Sequence, residues 1–375
     1  MQCRKYIRYF DLDLSRECVV YNQPSTNPFL ALMPLMSRSR ALSHAMISIS
    51  AFHYTHRMVI SHAQPLAGET GAAQSESREP WHLSQNRHWQ TSQPRFRESL
   101  RTALSYKQTA LEHLQHEVWD DPERNSDAVV AAIVLFICMD VVEYGSHGWN
   151  HHLRGAEEMV RSRKLQRNKV QDGSAPWLKY FDTACTTFGI LGATLAPASS
   201  HSSLRLPLLD PAFLQTLRHS ENQTWVGCPA ELLYFLSTIN SLRSLSATAP
   251  ERIQVIPELC HRLLDFCPAT WAEDFPDRQH HESRSHLAHA YKAAVEIYTS
   301  HIIGASPGQH YLSQPFIDAA LRPAILHMLA ISPEDFHIKS LVWPAFVIEP
   351  LLVEASKLWD SDTTHDEWRC SDLMQ

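Results

Sequence analysis

Histidine is the starting point, because 23 of the 375 residues are His and imidazole is both a near-neutral acid–base group and the commonest metal ligand. His286 and His289 stand one helical turn apart, as do His53 and His56, so either pair could share a metal. No carboxylate or Cys joins them at ligand spacing, and a zinc site wants three or four donors. Both pairs therefore read as solvated or core-edge histidines. His116-Glu117 lacks the second His of a zinc-protease helix, and His281-Glu282 reaches His286 one position too late. His151 and His152 are adjacent, so they point to different faces of a helix, and so do Glu157 and Glu158. The eight Cys contain no CxxC pair, and Cys138 sits inside an apolar run. Buried free cysteine acts as a small hydrophobe, so the pattern reads as a reduced intracellular protein, not a disulfide scaffold. There is no Walker loop, no dinucleotide fingerprint and no Gly-x-Ser-x-Gly elbow. The sequence offers no catalytic, cofactor-binding or metal-ligating residue, and the reading is not an enzyme.

Charge and hydropathy narrow the classes further. Lys and Arg number 33 against 40 Asp and Glu, a net charge of −7, which is no electrostatic footprint for nucleic acid. The basic run Arg161, Arg163, Lys164, Arg167, Lys169 follows a helical pattern and is read as cations complementing a helix C-terminus. The N-terminus lacks the apolar stretch of a signal peptide. The longest apolar run, 128–139, ends at Asp140 and is too short to span a bilayer.

The elements that would position any site are helices. Glycine is scarce, at 11 residues, and apolar residues recur at three- and four-residue spacing with little β-type alternation. Residues 1–25 read as a short helix and a loop, and Asn27-Pro28 opens a segment to Pro34. A helix is expected from Ser39 to His62, with Leu42, Ala45, Met46, Ile49, Phe52 and His53 on one face. Residues 64–94, rich in Gln, Ser, Glu, Gly and Pro, read as a flexible loop. Further helices are expected over 96–119, with Leu100, Leu104, Tyr106, Ala110, Leu111 and Leu114 apolar, over 128–142 behind a Ser126 cap, and over 149–165. Others follow over 177–193, 230–245, 257–266, 283–303, 315–329 and 333–359, the last interrupted at Pro344 and Pro350. The fold class is all-α: packed helical hairpins in a single large domain.

Several segments, in order, resemble the fungal-specific transcription factor domain, the regulatory half of Zn2Cys6 regulators. Asn27-Pro28-Phe29 through Pro34-Leu35, then Ser39-Arg40-Ala41-Leu42-Ser43-His44-Ala45 and Ser50-Ala51-Phe52-His53, resemble the family's opening. Tyr106 with Ala110-Leu111 resembles its next helix. Gly148-Trp149-Asn150-His151-His152-Leu153-Arg154-Gly155-Ala156 after the apolar run is the most specific match. Gly227-Cys228-Pro229-Ala230-Glu231-Leu232-Leu233, the 290–298 helix and Leu341-Val342-Trp343-Pro344 follow. His301 stands where Arg is usual, and Ile348-Glu349 where Ala-Gly is usual. Physically these residues read mostly as packing: Trp149 and Trp343 as apolar anchors, Gly155 as room for a neighbouring helix, Pro229 as a helix start.

The resemblance sets 1–24 as an N-terminal segment, 25–358 as the regulatory domain and 359–375 as a tail. It implies a nuclear regulator of a fungal metabolic or secondary-metabolite pathway. Partners implied are a second copy, a zinc-cluster regulator or a small-molecule effector, with no membrane. Family members carry six zinc-binding cysteines upstream; Cys3 and Cys18 cannot supply them. Zinc is therefore expected only if such a segment precedes Met1, and DNA contact only indirectly or through that segment. An effector pocket, if present, is placed among Trp149, His152, Arg154, Tyr291 and Trp343, since ligand sites favour gaps between helices. The alternative is a helical interaction scaffold or co-regulator that does not bind DNA itself.

Overall fold

The computed structural model describes residues 2–63, 94–119, 126–144, 152–156, 158–159, 162, 176–195, 211–218, 221–222, 224–243, 245, 249–303, 314–349 and 351. The protein is all-α, with no strand among these residues. The helices gather into two compact units: 1–15 with 30–170 and 362–375, and 16–29 with 171–361.

In the first unit, α1 (Gln2–Tyr9) continues through a π-helical stretch, Phe10–Leu14, to a last α-turn, Ser15–Glu17. The expected short helix and loop are both present: a helix to Glu17, with Tyr6, Phe10 and Leu14 buried at four-residue spacing, then turns over 18–29. A 3₁₀ segment, Leu30–Ser37, leads to α2 (Arg40–Ala63), which packs along α3 (Pro94–Trp119) and α4 (Asp127–Tyr144). Small residues line the α2–α3 seam, so the backbones approach closely. Ser48 Oγ donates to Ala103 O at 2.8 Å, and Thr55 Oγ1 to Ser99 Oγ at 2.8 Å. That seam corrects one expectation: α3 turns Ser99, Thr102, Ala103, Ala110 and Leu114 inward, leaving Leu104 and Leu111 exposed. α4 is buried on every side over 128–137, as a helix apolar all round must be.

The start of α2 is held from a distance. Leu42 N–H donates to Ser39 Oγ at 2.9 Å, while the Glu117 carboxylate accepts from Ser39 Oγ at 2.6 Å and Ala41 N at 3.1 Å. Two orphan N–H groups of the first turn are thereby satisfied. Glu117→Ala is expected to cost about 1–2 kcal/mol, the loss of a cap, read as a lower thermal midpoint; an unchanged midpoint would mean water replaces the carboxylate.

In the second unit α5 (Pro176–Leu195) and α6 (Pro211–Arg218) flank α7 (Ala230–Arg243), whose residues are nearly all buried. Then come α8 (Pro250–Asp265), α9 (Pro268–Glu273), a 3₁₀ turn Arg278–His280, α10 (His281–Ile303), α11 (Gln314–Leu329) and a 3₁₀ segment Phe336–Leu341. α8 starts at Pro250, not Pro257. Pro257 lies inside it on the exposed side, where a carbonyl without its N–H partner can turn to water. Pro344 likewise falls in the first turn of helix 342–349, where no N–H is missed, so it begins a helix and does not break one. Cations close several helix ends: Arg252 Nη2 donates to Ile302 O at 2.7 Å, and Lys292 Nζ to Leu264 O at 3.0 Å and Phe266 O at 2.9 Å.

The segment 16–29 is laid onto this unit. Val19 and Val20 are buried, Val20 N–H donates to Thr224 O at 3.2 Å, and Lys339 Nζ donates to Glu17 O at 3.0 Å and Val19 O at 2.7 Å. Of the remaining expectations, the 64–93 stretch, the 145–148 turn and the 359–375 tail lie outside the described residues.

Candidate functional site

The five residues singled out for a pocket are placed as follows. Trp149 lies outside the described residues. His152 and Arg154 are in the first unit. Arg154 is exposed. His152 stacks on Phe136 at 5.2 Å and its Nε2 is 3.5 Å from Asp140, whose other oxygen accepts from Lys107 at 2.7 Å. Tyr291 and Trp343 are in the second unit and do meet, their rings nearly parallel at 5.8 Å. Tyr291 is completely enclosed, and its hydroxyl donates to Val226 O at 3.0 Å. Around them Tyr298 Oη donates to Asn240 Oδ1 at 2.7 Å and Trp343 Nε1 to Thr194 Oγ1 at 2.9 Å. This is a satisfied polar seam in a tight core.

His286 and His289 acquire a third partner that spacing could not show, His327 of α11. Two Nδ1 atoms face each other at 2.8 Å and the His289 and His327 rings stack at 4.2 Å. Lone pairs of stacked rings do not converge, and among the described residues no His, Cys, Asp and Glu group is set to hold a metal. Cys138 is pushed up to about 12 by burial, and Cys228 is raised well above its usual range by the same cause, so neither is a thiolate nucleophile. Cys3 lies against Tyr106 Oη in the first unit.

The constellation with the most unusual chemistry lies elsewhere, on Tyr21, Arg284 and the 335–337 turn. Burial of a cation demands partners. Arg284, first turn of α10 and 3% exposed, has its guanidinium carbon 3.5 Å from the centre of the Trp271 ring, a cation–π arrangement. Its Nη1 donates to Asn222 Oδ1 at 2.8 Å and Tyr21 Oη at 2.9 Å, and its Nη2 is 3.5 Å from Glu221 Oε1. Its buried Nε has no hydrogen-bond partner. Glu221 also accepts from Trp271 Nε1 and from the N–H of Ala230 at the head of α7. Burial nevertheless pushes its carboxyl above the usual range.

From Tyr21 the bonds run onward with a fixed direction. Asp335, capping the 3₁₀ turn, accepts from His337 N–H at 2.8 Å, from His337 Nδ1 at 2.7 Å and from Ser283 Oγ. The carboxylate therefore fixes the proton on Nδ1, and Nε2 accepts from the Tyr21 hydroxyl at 3.0 Å. The Tyr21 ring stacks on Phe275 at 4.2 Å and meets Phe336 and His337 edge-on at 5.5 Å. Burial raises the Tyr21 hydroxyl and lowers the His337 imidazole, with the neighbouring Arg284 and His280 charges adding to the latter. Burial pushes Asp335 up, but the bonds it accepts outweigh this and hold it low. His327 is pulled down to about 4 by burial, then by His289 and His286.

These shifts fix a pH dependence. A histidine lowered on folding binds fewer protons in the native state, so stability rises with pH through that range. The contribution of His327 is complete above about pH 6.5 and is lost as pH falls toward 4; that of His337 is lost in the same direction. The melting temperature is expected to drop by a few degrees between pH 7 and 5, and His327→Gln should flatten part of that drop.

The residues sequence reasoning missed are Tyr21, Glu221, Arg284 and His337. They lie up to 316 positions apart, and the chain itself shows only short-range neighbours such as Glu221-Asn222, Ser283-Arg284 and Asp335-Phe336-His337.

With this geometry in view, the class of protein is defined by a family model. Residues 5–348 match the fungal specific transcription factor domain, and the chain belongs to that family. Among curated proteins it is similar to the acriflavine sensitivity control protein acr-2 of Neurospora crassa, 23% identical over 358 residues, 92% of this chain and 55% of that one. The chain thus spans about half the length of the curated relative it matches. No solved structure matches it. Among the described residues no helix is long and apolar enough to cross a membrane.

Proposed function

We propose that the chain is the effector-responsive regulatory half of a nuclear fungal transcription regulator controlling a metabolic or secondary-metabolite pathway. The observation that carries the reading is the family match over nearly the whole chain, and the name of the relative, a control protein, supports control over turnover. A net charge of −7 argues against direct DNA contact by this stretch and favours contact through a zinc-cluster partner or a six-cysteine segment outside this sequence. The buried polar–aromatic cluster around Arg284 and Tyr21 in the second unit supports looking there for an effector site.

The test is a fusion of residues 1–375 to a foreign DNA-binding domain in a fungal host. Reporter output is expected to change several-fold and the fusion to accumulate in the nucleus. A silent reporter would sink the regulator reading; a stable partner recovered without DNA alongside it would favour the scaffold.

A further inference from the structure

We propose that the slot around Tyr21 is a binding site for hydroxyaromatic small molecules, held shut in this state by the chain's own tyrosine. This deepens the effector half of the function proposed above and rests on it only for its physiological meaning.

Three features carry the assignment. The slot recognises both parts of a phenol. Phe275 covers one face of the ring at 4.2 Å, Phe336 and His337 meet it edge-on, and the hydroxyl accepts from Arg284 and donates to His337. Such groups reject an analogue that lacks the hydroxyl, because they would then be buried without a partner. Secondly, the recognising groups are organised independently of Tyr21. Arg284 is fixed by Trp271, Asn222 and Glu221, and His337 by Asp335, itself held by Ser283. Emptying the slot would leave it formed.

Thirdly, the occupant stands at the edge of the buried part of its segment. Tyr21 is half-buried, unlike Val19 and Val20 before it, and residues 22–26 after it are exposed. The turn's own bonds, Thr26 N–H and Asn27 N–H to Gln23 O, are local and survive a swing of the Tyr21 side chain. A free ligand competes with a tethered one, whose effective concentration is about millimolar at least. A bare phenol therefore binds weakly, and a larger hydroxyaromatic that also covers His280 binds more tightly.

Competition tests this directly. Chymotrypsin cleaves after aromatic residues by taking the ring into its own pocket, so the bond after Tyr21 can be cut only when the ring leaves its seat. Adding p-cresol, the tyrosine side chain as a free molecule, to the intact protein is expected to raise cleavage after Tyr21 roughly threefold or more, by mass action. Cleavage elsewhere in the second unit should stay unchanged. Toluene, of the same shape without the hydroxyl, should need on the order of tenfold more. In Tyr21→Phe the tethered ring loses both hydroxyl bonds, so p-cresol should open the site at about tenfold lower concentration. If p-cresol and toluene act alike, or if neither protein is opened by p-cresol, the slot is core packing and the proposal fails. Neither outcome touches the reporter assay, so the two readings stand or fall separately.

Discussion

Arg284→Met is expected to destabilise the second unit by about 3–5 kcal/mol, the cost of stripping one partner from a buried charge pair. The buried guanidinium binds Tyr21 and Asn222, faces Glu221 and covers Trp271. Removing it leaves a carboxylate that is largely shut away from water and already raised by burial. The methionine keeps most of the volume over the indole, so the loss is mainly electrostatic. That reasoning makes a second statement about the double variant. Arg284→Met with Glu221→Gln should recover about 1–2 kcal/mol, because no unpaired charge remains, even though the hydrogen bond to Ala230 N is weakened. Urea midpoints of the two singles and the double close the cycle. Simple additivity would show that Glu221 does not feel Arg284.

Gly227→Ala is expected to cost about 2–4 kcal/mol, from two independent sources. Gly227 has φ of 58°, a left-handed conformation that costs an L-residue about 1–2 kcal/mol. A methyl there would lie 3.0 Å from Ser340 Oγ, 3.1 Å from Val20 Cγ2 and 3.2 Å from Leu287 Cδ2, and overpacking a filled core costs about 1–3 kcal/mol more. Ser340 Oγ cannot retreat freely, since it donates to Trp225 O at 2.7 Å. Gly155 is the internal control. It is helical, and a methyl there meets nothing within 4 Å, so Gly155→Ala should be neutral or stabilising by about 0.5–1 kcal/mol. Equal effects at the two glycines in a thermal melt would overturn both arguments.

The same two glycines show what the sequence could convey. Both stand in segments that resemble the family, and the sequence reading gave Gly155 the packing role, as room for a neighbouring helix. The structure gives that role to Gly227, where backbone angle and three side chains from distant elements converge. Helices were legible because a period of 3.6 is a local signal: α2, α4, α7 and α10 fall close to where periodicity put them. Which face turns inward was less so. On α3 the eye goes to Leu104 and Leu111, yet close packing selected Ser99, Thr102 and Ala103, because small side chains let α2 approach. Two prolines were misread: Pro257 as the start of a helix that begins at Pro250, and Pro344 as a break where it lies in a first turn. The Arg284 cluster was illegible, since Tyr21, Glu221, Trp271, Arg284 and His337 follow no common period and belong to five different segments.

The laying of residues 16–29 onto elements near the other end of the chain bears on how the protein is made. Tyr21 meets His337 across 316 positions, and Val19 meets Lys339 across 320. A ribosome adding about 5–20 residues per second leaves this strip waiting roughly 15–60 s for its seat. During that interval Val19, Val20 and Tyr21 wait without their final partners, while the hairpin of α2 and α3 has both its halves once Trp119 is made. A nascent chain stalled before the 336–341 turn would carry an unsealed second unit, which offers quality control a simple mark of an unfinished molecule.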